Sequence, residues 1–199
     1  PWNSAIEEFD GSPKLLQEGT TLISIFDEMG EGRTLLILGN PGAGKTTTLL
    51  ELARDLIERA EEDVGSPIPV VFNLSSWASQ RQAIADWLLK ELSNKYQVPQ
   101  LVGQTWLNKQ QLLLLLDGLD EVQAKYREEC IAALNAFHEK YGLELVVTSR
   151  IRDYTALSTQ LNFQNAVYLR SLTSQQVLHY LDSSGSELAQ LSTLIHKDQ

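Results

Sequence analysis

Cysteine is nearly absent from this chain: Cys130 stands alone among 199 residues. One thiol forms no internal disulfide and builds no cysteine zinc cluster, and a reducing, cytoplasmic setting fits best. Basic charge is scarce as well. The 16 Lys and Arg residues face 26 Asp and Glu, for a formal net charge of -10. Such a chain has no broad electrostatic footprint for nucleic acid or an anionic membrane, although a small local basic site is compatible with it. No apolar run approaches the roughly 18–20 residues that span a bilayer, and no signal peptide is visible. His138, His179 and His196 are scattered without metal-ligand spacing. The chain opens at Pro1 rather than methionine and stops mid-pattern at "LIHKDQ", so it reads as an excerpt from a longer protein.

The composition that remains is globular. Hydrophobic residues make up 43% and charged residues 21%, enough for one substantial core with at most a small appendage. Residues 1–19 are mixed and turn-rich, a leading segment or linker. "TTLISIFDEMG" then spaces Leu22, Ile25, Phe26 and Met29 on one helical face. Five short apolar runs follow: "TLLILG", "PVVFNL", "LLLLL", "LELVVTSR" and "NAVYLR". Runs apolar on both faces belong to strands enclosed in a parallel sheet. Between them lie helical patterns at 44–60, with Leu49, Leu52, Ala53, Leu56 and Ile57 facing inward, at about 80–96, and at 127–141, closed by Gly142. The alternation predicts an α/β fold with a doubly wound, mainly parallel five-stranded sheet over residues 20–170. From 171 to 199 the pattern turns helical, with a capping box at Thr173 and Gln176 and a second helix at 187–195, as at the start of a small helical domain.

Three strand ends carry the chemistry. "GNPGAGKTT" places Gly39, Gly44, Lys45 and Thr46 in the G-x-x-x-x-G-K-[ST] spacing, between a buried strand and a helix. Glycines let successive amides turn toward one oxyanion, and the helix N-terminus adds free N–H groups. Lys45 supplies a mobile charge for the β- and γ-phosphates, and the Thr46 hydroxyl is a ligand for Mg²⁺. The whole stretch, Gly39, Asn40, Pro41, Gly42, Ala43, Gly44, Lys45, Thr46 and Thr47, is the expected nucleotide-binding segment.

The second is "LLLLLDGLDEV", residues 112–122, where five leucines run directly into three carboxylates. A buried strand is apolar, and the residue just past its carboxyl end faces the ligand crevice of a doubly wound sheet. Asp117 falls there and is assigned to Mg²⁺, directly or through water. Glu121 is the first candidate to orient or deprotonate the attacking water and Asp120 the second; capping of the next helix is the alternative for both. "VVTSR" ends the fourth strand, so Thr148, Ser149 and Arg150 also reach the crevice, where Arg150 is placed to contact a γ-phosphate.

These motifs, in this order and spacing, resemble the NACHT family of STAND-type P-loop NTPases, bacterial members in particular. "DGLDE" is that family's form of the acidic motif, and "PVVFNLSSW" is similar to it too; the resemblance covers about residues 20–182. It implies an ATP/ADP switch in which ATP exchange opens the protein. It further implies that the opened form oligomerises and activates an effector, under control of a sensor, both fused outside this excerpt. It implies phosphate and Mg²⁺ binding by Lys45 and Thr46, Asp117 as the metal-side acid, Asp120 and Glu121 as hydrolytic acids, and Arg150 as the sensor 1 residue. It also favours adenine; the guanine-binding N-K-x-D pattern is missing, because "NKYQ" and "NKQQ" lack its aspartate.

Two other readings stand beside this one. One is a nucleotide-gated scaffold with negligible turnover; the other is a small-molecule kinase, for which only Arg150 and Arg152 lie near the phosphates. Trp77, Trp87 and Trp106 are expected to pack in the interior rather than stack on bases. Cys130 is expected to be a small buried hydrophobe. Helix 44–60 is expected to stop at or before Glu61, where acids meet its C-terminus.

Overall fold

A computed structural model of the chain describes residues 20–79 and 81–170, and the backbone of two short strands, 6–8 and 14–15. The strands are β1 (Ile6–Glu8), β2 (Lys14–Leu15), β3 (Thr34–Gly39), β4 (Ile68–Asn73), β5 (Leu112–Asp117), β6 (Glu144–Arg150) and β7 (Asn165–Leu169). The helices are α1 (Leu22–Glu28), α2 (Lys45–Glu62), α3 (Ile84–Tyr96), α4 (Gln100–Asn108), α5 (Arg127–Tyr141) and α6 (Ile151–Thr155). The sheet runs β2-β1-β7-β3-β6-β5-β4. Its five-stranded body, β7 to β4, is parallel throughout, and β1 and β2 extend one edge in antiparallel fashion.

The leucine run explains itself in this sheet. Successive side chains of a strand point to opposite faces. Leu112, Leu114 and Leu116 join the core that also holds Leu88 and Leu92 of α3, Leu107 of α4 and Leu134 of α5. Leu113 and Leu115 join the opposite core, with Phe26 of α1 and Leu49 and Leu52 of α2. All five leucines are at most 1% exposed, and each such burial stabilises by about 1.5–3 kcal/mol relative to exposure. A polar residue at any of the five would face one of two dry layers, so the run is uninterrupted.

Helix ends follow local rules. Thr21 caps α1 through its side chain, accepting from Ser24 N at 3.3 Å. Gly142 closes α5 in the left-handed conformation, φ 65°. The expected inward position of Ile57 is corrected by its 45% exposure: Leu49, Leu52, Ala53 and Leu56 already define the buried stripe, and Ile57 lies at its margin. Helix α2 also runs one residue past the expected stop, to Glu62, and Asp63 ends it by donating its N–H to Arg59 O. The tryptophans pack as expected. Trp77 and Trp87 are 1% and 2% exposed, with their indole N–H groups donating to Gln82 O and Ser76 Oγ, and Trp106 is partly buried against the same core. The capping box at Thr173, the helix at 187–195, His179 and His196 lie outside the described residues.

Strand order decides what meets at the sheet's carboxyl edge. β6 lies between β3 and β5, in register Gly39 with Arg150, and Asn73 at the end of β4 is level with Asp117 at the end of β5. Four strand ends therefore present Asn73, Asp117, Arg150 and Gly39 along one edge.

Candidate nucleotide-binding site

The loop from β3 to α2 turns through two left-handed glycines, Gly42 (φ 75°) and Gly44 (φ 86°). Gly44 is the N-cap of α2 and has no side chain to occupy the helix end, so the amides opening an 18-residue helix stay available to an anion. Gly39 is required by close packing instead. A Cβ there would lie 3.1 Å from Ala43 Cβ and 3.2 Å from Leu169 O. Ala43 itself is 2% exposed and part of the core. Asn40 donates from Nδ2 to Tyr168 Oη at 3.1 Å, tying the loop to β7.

Lys45 folds back on the loop, donating from Nζ to Gly39 O and Asn40 O, both at 3.2 Å. Burial pushes its ammonium below the usual lysine range, against the opposing pull of Asp120 and Asp117. Neutral carbonyls are weak partners for a partly desolvated cation; an anionic phosphate oxygen is a stronger one.

At the end of β5, Asp117 is held from two sides. Thr46 Oγ1 donates to Oδ2 at 2.8 Å, and Thr148 Oγ1 donates to Oδ1 at 2.5 Å. Thr148, 0% exposed, also accepts from Gly118 N at 2.9 Å. The chain Thr46–Asp117–Thr148 thus bridges α2, β5 and β6. No group of three or more His, Cys, Asp or Glu able to hold a metal occurs among the described residues. One hydroxyl and one carboxylate, beside a phosphate-binding loop, is a donor set that fits Mg²⁺, which takes few protein ligands and completes its shell with water and substrate phosphates.

Asp120 and Glu121 part company in a short 3₁₀ turn, Leu119–Glu121. Asp120, with a side chain 6% exposed, pairs with Arg150 at Nε (2.8 Å) and accepts from Arg150 N at 3.0 Å. Glu121 is exposed and receives Asn73 Nδ2 on Oε2 at 2.7 Å. Asn73 is in turn fixed by Ser75 N, which donates to its Oδ1 at 2.8 Å. Gly118 permits the turn with φ 77°, and a Cβ there would lie 2.9 Å from Glu121 Cδ.

A cavity of about 390 Å³ is lined by Pro41, Gly42, Gly44, Lys45, Thr46 and Thr47 of the loop together with Asp117, Asp120, Glu121 and Arg150. The structure therefore brings the loop and all four acidic or basic candidates to one place. Gly39 and Ala43 are not on its lining; they shape the loop from beneath. Asn40 lines a neighbouring cavity of about 420 Å³ with Pro41, Arg150 and residues 151–153. Asn73 was missed from the sequence, yet it carries a readable signal: like Asp117 in "LLLLLD", it is the first polar residue after an apolar strand in "PVVFN". Arg127, which donates to Asp120 O, Val122 O and Asp153, had no such signal.

This geometry is that of a P-loop nucleotide-binding domain: a glycine-bent loop between strand and helix, its lysine and threonine beside a carboxylate that ends the parallel strand next but one in the sheet. The NACHT domain family model matches residues 33–187, most of the chain, and the chain belongs to that family. It is accordingly a nucleotide-binding NTPase domain. Among solved structures it is similar to the ORC1 protein of Aeropyrum pernix in complex with DNA, with TM-score 0.56, 15% identity, and 76% of this chain aligned to 43% of that one. It is also similar to PCH-2 of C. elegans, with TM-score 0.51, 15% identity, and 83% of this chain aligned to 42% of that one. At such identity the likeness concerns the fold, and this chain spans less than half of either. No curated protein gives a significant match. No helix among the described residues is long and apolar enough to cross a membrane.

Proposed function

We propose that this domain is an adenine-nucleotide switch of the cytoplasm: it binds ATP or ADP with Mg²⁺, hydrolyses ATP slowly, and through its nucleotide state regulates oligomerisation of a larger protein carrying effector and sensor domains. The observation that supports the reading is the Thr46–Asp117–Thr148 chain, a carboxylate and a hydroxyl suited to Mg²⁺ lying directly beside the Lys45 loop. Lys45 engages the β- and γ-phosphates in exchange for its two backbone carbonyls. Thr46 and Asp117 are the residues that would hold Mg²⁺, which when bound neutralises charge on the phosphates. Glu121, exposed and oriented by Asn73, is the acid suited to take a proton from the attacking water. Asp120 is engaged with Arg150 on two atoms and is better suited to setting the position of that arginine. A γ-phosphate competes with Asp120 for the Arg150 guanidinium, and this competition gives the domain a way to register ATP against ADP.

For such a switch to move from 1:99 to 99:1, the two states must differ by about 5.5 kcal/mol in ligand binding free energy. The test is direct. The nucleotide retained through purification is identified, and Mg²⁺–ATP affinity is measured for wild type and Lys45→Ala. The expected result is adenine nucleotide in wild type and loss of binding in a variant whose circular dichroism is unchanged. Unaltered affinity in folded Lys45→Ala contradicts the reading.

A further inference from the structure

Arg127 is the first residue of α5, and its side chain is 15% exposed. A cation is poorly placed at a helix N-terminus, where the macrodipole favours acids; Glu128 and Glu129 beside it follow that rule. A side chain that departs from the local rule calls for a compensating partner, and Arg127 has three. Nε donates to Val122 O at 2.9 Å, Nη2 to Asp120 O at 2.5 Å, and Nη1 to Asp153 Oδ1 at 2.6 Å.

The two carbonyls flank Glu121. One planar guanidinium therefore fixes the backbone on both sides of the residue whose carboxylate Asn73 orients. The third contact reaches α6, which begins immediately after Arg150, and Arg150 returns to Asp120 through its N–H and Nε. Three contacts and the short run of chain from Arg150 to Asp153 thus form a closed circuit, Arg127–Asp120–Arg150–Asp153, joining the ends of β5 and β6. Arg127 itself does not line the phosphate-loop cavity, so it acts on the site through others.

We propose that Arg127 is a positioning residue for hydrolysis, holding the Glu121 turn rigid and linking it to Arg150; this rests on the hydrolytic reading above. The fork geometry is essential. Lysine has the charge but only a single nitrogen, which cannot serve two carbonyls and a carboxylate in fixed directions.

The experiment compares wild type, Arg127→Lys, Glu121→Gln and the double variant. It follows Mg²⁺–ATP affinity, single-turnover cleavage, and hydrogen exchange of residues 118–123, with circular dichroism as the check on folding. In Arg127→Lys, affinity is expected to stay within about twofold while cleavage falls by about tenfold or more, as displaced catalytic groups do. Exchange at 118–123 is expected to rise by about tenfold while the sheet stays protected. On the Glu121→Gln background, Arg127→Lys is expected to remove little more, because the two act as one unit. Wild-type cleavage or unchanged exchange in Arg127→Lys overturns the proposal, as does a fully additive loss in the double variant. If wild type cleaves no nucleotide, the hydrolytic reading fails on its own, and the exchange comparison alone upholds or overturns the clamp.

Discussion

Replacing Thr148 by valine removes one oxygen atom from a fully buried position and leaves the shape almost unchanged. That oxygen donates to Asp117 Oδ1 at 2.5 Å and accepts from Gly118 N at 2.9 Å. A hydrogen bond to a charged group contributes about 1.5–3 kcal/mol, and a buried N–H left without a partner costs about 1–3 kcal/mol. The two share one atom, and the turn can relax, so the predicted cost is about 2–4 kcal/mol of unfolding free energy. Urea denaturation at constant m-value measures it. Thr148→Ser keeps the hydroxyl, and loses only a buried methyl, about 1 kcal/mol. The functional consequence is separate. With Thr148 gone, Asp117 keeps only Thr46 as a hydroxyl partner, so the Mg²⁺ dependence of nucleotide binding should weaken in the valine variant and persist in the serine variant. A valine variant within about 0.5 kcal/mol of wild type, the usual range for inconsequential substitutions, with unchanged Mg²⁺ dependence, would refute the reasoning.

Other predictions concern single residues. Gly118→Ala places a Cβ 2.9 Å from Glu121 Cδ at φ 77°; it should cost about 1–2 kcal/mol for the left-handed backbone and slow single-turnover cleavage without weakening nucleotide affinity. Cys130 is 0% exposed and burial pushes its thiol up to about 12. A thiol-disulfide reagent at about pH 8 should therefore leave it unmodified until the protein unfolds; rapid labelling of native protein would contradict the packing. Asp27 accepts from both terminal nitrogens of Arg59, at 2.5 and 2.6 Å, and that bond holds its carboxyl below the usual range. A carboxylate with a lowered folded pKa stabilises above its unfolded pKa and loses that contribution as pH falls through the folded one. Its side chain is 40% exposed, so Asp27→Asn should cost at most about 1 kcal/mol near pH 7 in low salt and distinctly less at about pH 2, where protonation of the carboxyl removes the ion pair. Equal costs at the two pH values would overturn the assignment.

Periodicity made the body of the fold legible. The five apolar runs became the five parallel strands, and the 3.6-residue patterns became α1, α2, α3 and α5, because each signal arises from burial on a known face. What escaped lacked such a signal. Helix α4 is short and contains Gly103, which is there because α3 packs so closely: a Cβ would lie 3.1 Å from Leu89 Cδ2. β1 and β2 are three and two residues long, too short for alternation to register. In the site, the loop and Asp117 could be located from strand ends alone. The sequence did not separate Asp120 from Glu121, since adjacent acids in one motif look alike. Their difference comes from partners far away in sequence, Arg150 for one and Asn73 for the other. Arg127 was invisible for a different reason: two of its three acceptors are backbone carbonyls, which every residue has.

Single-turnover cleavage of Mg²⁺–ATP by Glu121→Gln, alongside Asp120→Asn and wild type, tests most directly which acid acts on water. The division of labour predicts that Glu121→Gln binds nucleotide as wild type does and cleaves it about 10² times more slowly or worse, the scale of a lost general base. Asp120→Asn should cleave faster than Glu121→Gln. Cleavage by Glu121→Gln at the wild-type rate, with Asp120→Asn inert, would contradict it and assign the catalytic role to Asp120 instead.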